Sequence, residues 1–227
     1  MTRRISIAID GPAASGKGTA ARALAQALGY AYIDTGAMYR AVGLLAAEAG
    51  LALRDEAAVG ALAEGLALRF GWRAGRLRVF VGERDVTDAI RTEQAGQGAS
   101  AVATLPRVRR ALVKRQRALA AAGGVVMDGR DIGTVVLPDA DLKVFLDAGA
   151  RERARRRHAE LTARSLPADL DAVQRDIEAR DLQDRSRATA PLRCADDAVR
   201  LDSTHLAPQA VVAELERLAR AAIAAAG

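Results

Sequence analysis

Gly11, Gly16 and Lys17 stand in the spacing glycine, four residues, glycine, lysine, within Gly11-Pro12-Ala13-Ala14-Ser15-Gly16-Lys17-Gly18-Thr19. This pattern suits the capture of nucleotide phosphates: glycines let the backbone curl until successive N–H groups converge on phosphate oxygens, and a following helix N-terminus adds positive potential. Lys17 is then expected to reach the β- and γ-phosphates of ATP. Where the pattern ordinarily places a serine or threonine after the lysine, this chain has Gly18, with the hydroxyl one residue later at Thr19. Direct Mg²⁺ ligation by the residue after the lysine is therefore in question. A carboxylate for the metal is expected from Asp128, which ends the apolar run Val125-Val126-Met127 and would meet Mg²⁺ directly or through water, with Thr19 as a second candidate.

Arginines form the other chemically suggestive set. Arg40 follows Tyr39 in a helical stretch, where a lone arginine is ordinarily solvated. Arg151, Arg153, Arg155, Arg156 and Arg157 point in several helical directions, so they cannot all face one ligand. Some are expected to clamp ATP phosphates from a lid and the rest to decorate the surface. Arg180, Asp184 and Arg187 fall at i, i+4 and i+7, on one face if the helix continues. As surface pairs these are worth only about 0.3–0.5 kcal/mol each, but a carboxylate between two guanidiniums also suits a sugar hydroxyl and a phosphate.

The elements that must position these residues follow a βα rhythm. Ile5, Ile7 and Ile9 alternate with Ser6 and Ala8, as in a central strand buried on both faces. A helix over 19–28 stops at Gly29, a suitable C-cap. Ala31-Tyr32-Ile33-Asp34 is a short strand, and Asp34-Thr35-Gly36 opens another helix. From Leu66 the period changes to two: Leu66, Leu68 and Phe70, then a turn at Ala74-Gly75, then Leu77, Val79 and Val81. That reads as two or three antiparallel strands inserted into the chain. Helical patterns resume over 92–103 and, after Pro106, over 107–122. Residues 142–147 and 199–202 read as further strands, with helices from Ala150, over 171–184 and over 210–225. The expected fold is α/β, a mostly parallel sheet with helices on both faces.

With 227 residues the chain suits one sizeable domain with insertions. No apolar run reaches the ~20 residues of a spanning helix, and the first strand is no signal peptide, so a cytoplasmic protein away from membranes is expected. The single cysteine, Cys194, excludes an internal disulfide and fits a reducing compartment. A net charge of +6 invites a nucleic-acid reading, yet 31 of the 34 basic residues are arginine in an alanine-rich chain, and only three Phe, three Tyr and one Trp could stack on bases. Nucleic acid is not expected as a partner. A kinase for another monophosphate or small alcohol, and an ATPase stimulated by nucleic acid, stand as alternatives. The second would need a switch-loop water-positioning residue or a base-recognition motif, and neither is evident.

Over essentially its full length the chain resembles the bacterial cytidylate kinases of the nucleoside monophosphate kinase family, with their P-loop NTPase fold. The resemblance is carried by Gly16-Lys17-Gly18-Thr19, Asp34 to Arg40 (Asp-Thr-Gly-Ala-Met-Tyr-Arg), Pro106-Arg107-Val108-Arg109, the run 128–136 (Asp-Gly-Arg-Asp-Ile-Gly-Thr-Val-Val), and Arg180, Asp184 and Arg187 ahead of Ala190-Pro191-Leu192. Gly18-Thr19 is normal in that family. The resemblance implies one kinase domain over 1–227, a monophosphate-binding insertion over 35–105 including the strands near 66–88, and a lid over 150–190. It implies ATP bound by residues 11–19, and Arg40, Arg130 and Arg187 on the CMP phosphate. It further implies Ser100, Arg109 and Asp131 on cytosine, Arg180 and Asp184 on the sugar, and Thr35 where relatives often have serine. Lys17, Arg40, Arg130 and Arg187 would be catalytic, and Arg153, Arg156 and Arg157 would belong to the lid. Gln183 replaces an arginine found in some relatives. The expected reaction is phosphoryl transfer from ATP to CMP or dCMP with Mg²⁺, by a monomer.

Overall fold

The computed structural model describes residues 3–73 and 76–227. The expected Ala74-Gly75 turn lies outside the described residues. The strands are β1 (Ser6–Asp10), β2 (Ala31–Asp34), β3 (Leu68–Arg73), β4 (Arg76–Val81), β5 (Arg84–Asp85), β6 (Val125–Gly129), β7 (Leu142–Asp147) and β8 (Val199–Asp202). The α-helices are α1 (Lys17–Leu28), α2 (Thr35–Glu48), α3 (Glu56–Gly65), α4 (Glu93–Val102), α5 (Pro106–Ala120), α6 (Ala150–Ala163), α7 (Leu170–Ser186) and α8 (Pro208–Ala226). The chain divides into two compact units, residues 1–32 with 120–227, and residues 33–119.

The first unit is built on a five-stranded sheet in the order β2-β6-β1-β7-β8. β1 pairs in parallel with β6 and β7, and β7 with β8. Ile5, Ile7 and Ile9 are fully buried, as alternation with small residues on a two-sided strand requires. Each contributes about 1.5–3 kcal/mol by leaving water. The register sets Ile9 beside Asp128 and Asp10 beside Gly129, so the turn after β1 and the turn after β6 emerge at the same edge of the sheet. In a parallel sheet that carboxyl edge is where ligands bind.

The second unit packs α2 to α5 with a three-stranded antiparallel sheet, β3-β4-β5. Its core joins Met38, Val42 and Ala46 of α2 to Val59 and Ala63 of α3, Val102 of α4, and Val108 and Leu112 of α5. Gly43 is a packing requirement: a Cβ there would come within 2.8 Å of the Gly98 backbone, so only glycine lets α2 and α4 cross this closely. The antiparallel insertion expected from the change of period is present, although Leu66 caps α3 rather than starting β3. The helix α3 is additional to the sequence-based expectations; Asp55 caps it by accepting from the N–H groups of Ala57 and Ala58.

Candidate active site

Between β1 and α1 the chain turns through Gly16, which has φ 86° and precedes the first helical residue, Lys17. Lys17 is buried, and its Nζ donates to the Pro12 carbonyl at 2.8 Å, folding the side chain back over the loop. Ser15 is buried as well, and its Oγ has no hydrogen-bond partner. Buried hydroxyls are ordinarily satisfied, so an orphaned one inside a glycine-bounded loop at a helix N-terminus fits a loop that receives an oxyanion.

Gly18 has a steric explanation. A Cβ at this position would lie 3.3 Å from the Tyr32 hydroxyl and 3.7 Å from Oδ2 of Asp128. The Tyr32 hydroxyl donates to Oδ1 of Asp128 at 2.9 Å, and both residues are buried. The room that a serine or threonine would use after the lysine is thus taken by Tyr32, which reaches Asp128 because β2 and β6 are neighbours. Asp128 fits a magnesium ion carried on nucleotide phosphates, since that metal ordinarily takes one or two carboxylates and completes its shell with phosphate and water. Thr19 lies exposed on the first turn of α1. Among the described residues no cluster of three or more His, Cys, Asp or Glu is placed to hold a metal by itself.

Asp10 is a functional candidate that sequence reasoning overlooked. Its two carboxylate oxygens accept from the N–H groups of Ile132 at 2.8 Å and Gly133 at 2.7 Å, at the start of a π-helical turn over Ile132–Val136. The segment so fixed directly follows Arg130 and Asp131. Burial raises the Asp10 pKa from 3.8 to about 6; Asp131 adds to the rise, while the two backbone donors and Lys17 oppose it. A folded-state value above the unfolded one means that ionisation of Asp10 weakens folding, so its contribution is full below pH ~4 and is lost as pH rises through about 6. The gap corresponds to roughly 3 kcal/mol. Chemical denaturation of the wild type and Asp10→Asn between pH 4 and 7.5 is expected to show the wild type losing stability relative to the variant by an amount of that order. A flat difference across the range would contradict the burial argument.

Asp184, buried on α7, accepts from Arg130 Nε at Oδ2 (2.8 Å), and Arg187 Nη1 lies 3.7 Å from Oδ1. Burial pushes its carboxyl upward, but Arg130, Arg187 and Arg180 outweigh this and hold it below the ordinary value. The condition for one shared face, a helix continuing to Arg187, is not met. α7 ends at Ser186, and Arg187 has extended φ −58° and ψ 132°, with its Nη2 donating to the Ala190 carbonyl at 3.1 Å. Arg187 therefore joins Asp184 through the turn after the helix, not through an i+7 face.

The arginines of α6 expected to belong to a lid separate into three situations. Arg153 is buried and paired with Asp181 at 2.7 Å, so it is not surface decoration. Arg156 donates to the Ser15 carbonyl at 3.4 Å, to Ser203 Oγ at 3.1 Å and to the Ser203 carbonyl at 2.6 Å, linking the glycine-bounded loop to the chain after β8. Arg157 pairs with Glu160 at 2.8 Å along α6. Gln183 is exposed on α7.

In the second unit, α2 brings Thr35, Tyr39 and Arg40 onto one element, with Ser100 on α4 and Arg109 on α5. Asp34 caps α2 by accepting from the Ala37 N–H and pairs with Arg40 at 2.8 Å. Arg40 is thus held rather than merely solvated, and its Nε makes no hydrogen bond. Arg109 is buried with its guanidinium 5.8 Å from the Tyr39 ring centroid, a stacking arrangement that fixes a planar fork.

The cytidylate kinase family model matches residues 7–221. The chain is 53% identical over 221 residues to a cytidylate kinase of Exiguobacterium sibiricum, covering 97% of this chain and 99% of that one. It is 51% identical over 215 residues to one of Geobacillus thermodenitrificans, at 95% and 96% coverage. It is 47% identical over 220 residues to one of Listeria monocytogenes, at 96% and 97% coverage. The chain belongs to the cytidylate kinase family. The matched residues extend across both compact units, so the unit carrying Arg40 and Arg109 belongs to the family's pattern as much as the glycine-bounded loop does.

Proposed function

We propose that this protein transfers the γ-phosphoryl group of ATP to CMP, and also to dCMP, giving ADP and the corresponding diphosphate. The observation that carries the reading is the Arg130–Asp184–Arg187 group, built around the buried Asp184, in the same unit as the glycine-bounded loop and Lys17. A carboxylate held ionised by guanidiniums offers a hydroxyl acceptor next to anion-binding forks, which is the donor and acceptor set of a nucleotide sugar and phosphate.

In this reading residues 11–19 cradle the ATP phosphates with their backbone N–H groups, and Lys17 neutralises charge on the transferring group. Arg40, Arg130 and Arg187 hold the CMP phosphate, whose attacking oxygen is anionic near neutral pH and needs no general base. Two phosphate groups brought together repel, and converging cations offset that repulsion while alignment lowers the barrier further. Magnesium bound near Asp128 and Thr19 supplies additional charge neutralisation. Ser100, Arg109 and Asp131 read the cytosine edge, Thr35 also belongs to the CMP-binding set, and Arg180 and Asp184 take the sugar. Residues 35–105 serve as the monophosphate-binding insertion and 150–190 as a lid that excludes water through Arg156 and Arg157. The protein acts as a monomer on small-molecule substrates in the cytoplasm.

ADP release measured side by side with CMP, dCMP, UMP, AMP and dTMP tests the assignment. CMP and dCMP should exceed the others in kcat/KM by at least about tenfold. Comparable turnover of AMP or dTMP would overturn it.

A further inference from the structure

Arg153 lies on α6 and Asp181 on α7, 5% and 7% exposed. Arg153 Nε donates to the Ala148 carbonyl at 2.8 Å, and its Nη1 donates to the Ala13 carbonyl at 3.0 Å while lying 2.7 Å from Asp181 Oδ2. The other oxygen of Asp181 accepts from the Ala13 N–H at 3.3 Å. One buried ion pair therefore answers both backbone polar groups of a single residue in the phosphate loop. The next residue, Ala14, has φ 58°, a left-handed conformation unfavourable for a residue with a Cβ. Its side chain packs on Ala154, Val173 and Ile177 of the same two helices. A strained backbone persists where its surroundings over-determine it, and here the ion pair and the apolar cluster do so from the two helices.

A buried ion pair is weak grounds for stability, because two apolar side chains of similar volume often serve as well. What apolar side chains cannot supply is the pair of hydrogen bonds to Ala13. We infer that Arg153 and Asp181 are positioning residues for the phosphate-donor loop: they fix the Ala13 peptide so that the loop is curled before a nucleotide arrives, and they do not touch the nucleotide. Such preorganisation raises affinity by removing the ordering cost from the binding step. The inference rests on the reading of residues 11–19 as the ATP site.

Two variants and two readouts test it. Arg153→Lys keeps the charge but not the fork that spans Ala148, Ala13 and Asp181. It should raise KM for ATP about tenfold while KM for CMP stays within about twofold. In the substrate-free protein it should speed amide hydrogen exchange in the 11–16 segment about tenfold. The double variant R153M/D181L leaves no charge unpaired, so its thermal midpoint should return toward that of the wild type while ATP affinity and loop exchange stay altered. Should Arg153→Lys not fold, the double variant, which removes both hydrogen bonds to Ala13 and leaves no charge unpaired, carries the same ATP and exchange readouts. The inference is overturned if stability and ATP affinity recover together in the double variant, since the pair would then be purely structural. It is equally overturned if the folded single variant leaves exchange and ATP affinity unchanged. Faster exchange with unchanged ATP parameters overturns it through the reading on which it rests, because the strap would then act on a loop that does not hold ATP.

Discussion

Replacing Lys17 with alanine lowers kcat for ADP formation by about 10³-fold, the scale of losing one preorganised donor to a developing negative charge. The fold survives the change. Lys17 Nζ makes a hydrogen bond to the Pro12 carbonyl, and losing such a bond is worth about 1 kcal/mol, or a few degrees in thermal midpoint for a chain of this size. Steady-state kinetics with CMP, alongside a thermal melt of the same preparation, separates the two effects. Near-normal turnover in a folded variant would remove Lys17 from the transferring phosphate, and with it the reading of the glycine-bounded loop.

Asp131→Asn is expected to change substrate choice more than rate. Asp131 is buried immediately before the segment that Asp10 fixes through Ile132 and Gly133. An ionised carboxylate only accepts hydrogen bonds, which matches the amino group of cytosine and leaves the carbonyl of uracil unanswered. Asparagine can turn its amide to donate to that carbonyl. The ratio of kcat/KM for CMP to that for UMP should fall about 10- to 100-fold, in line with about 1–3 kcal/mol for a good base-edge contact. A ratio unchanged from the wild type would exclude Asp131 from base reading and shift attention to Arg109.

Much of this arrangement is legible in the chain before any coordinate is known, for local reasons. Ile5 to Ile9 and Val125 to Met127 are short runs too apolar for anything but strands buried on both faces, and each ends in an aspartate followed by glycine. The change to period two after Leu66 marks the antiparallel insertion because alternation is a local property. The helix α3 escapes notice because Glu56 to Gly65 is mostly alanine and glycine, with only Val59 and Leu62 to mark a periodic apolar face. Ile132 to Val136 contains four β-branched residues and resembles a strand, yet it closes into a wide turn because Asp10 supplies acceptors for its leading N–H groups.

The remaining omissions come from contacts between distant segments. Tyr32 and Asp128 are 96 residues apart and meet only because β2 lies beside β6. Nothing in the local pattern around Gly18 announces that a phenol hydroxyl fills the space beside it. Arg153 sits in a run of arginines that reads as part phosphate clamp and part surface decoration, and its partner Asp181 becomes visible only when α6 packs on α7. The number of arginines between 151 and 157 is easily read, but which one turns inward depends on where Ala13 lies.

The most direct measurement follows the phosphorus itself. ATP labelled at the γ-phosphate is incubated with CMP, magnesium and the purified full chain, and the products are separated by ion exchange. Label is predicted in the β-phosphate of CDP, dependent on CMP and lost with Lys17→Ala. Label released as inorganic phosphate irrespective of CMP, or retained in ATP under all conditions, would contradict transfer between two nucleotides.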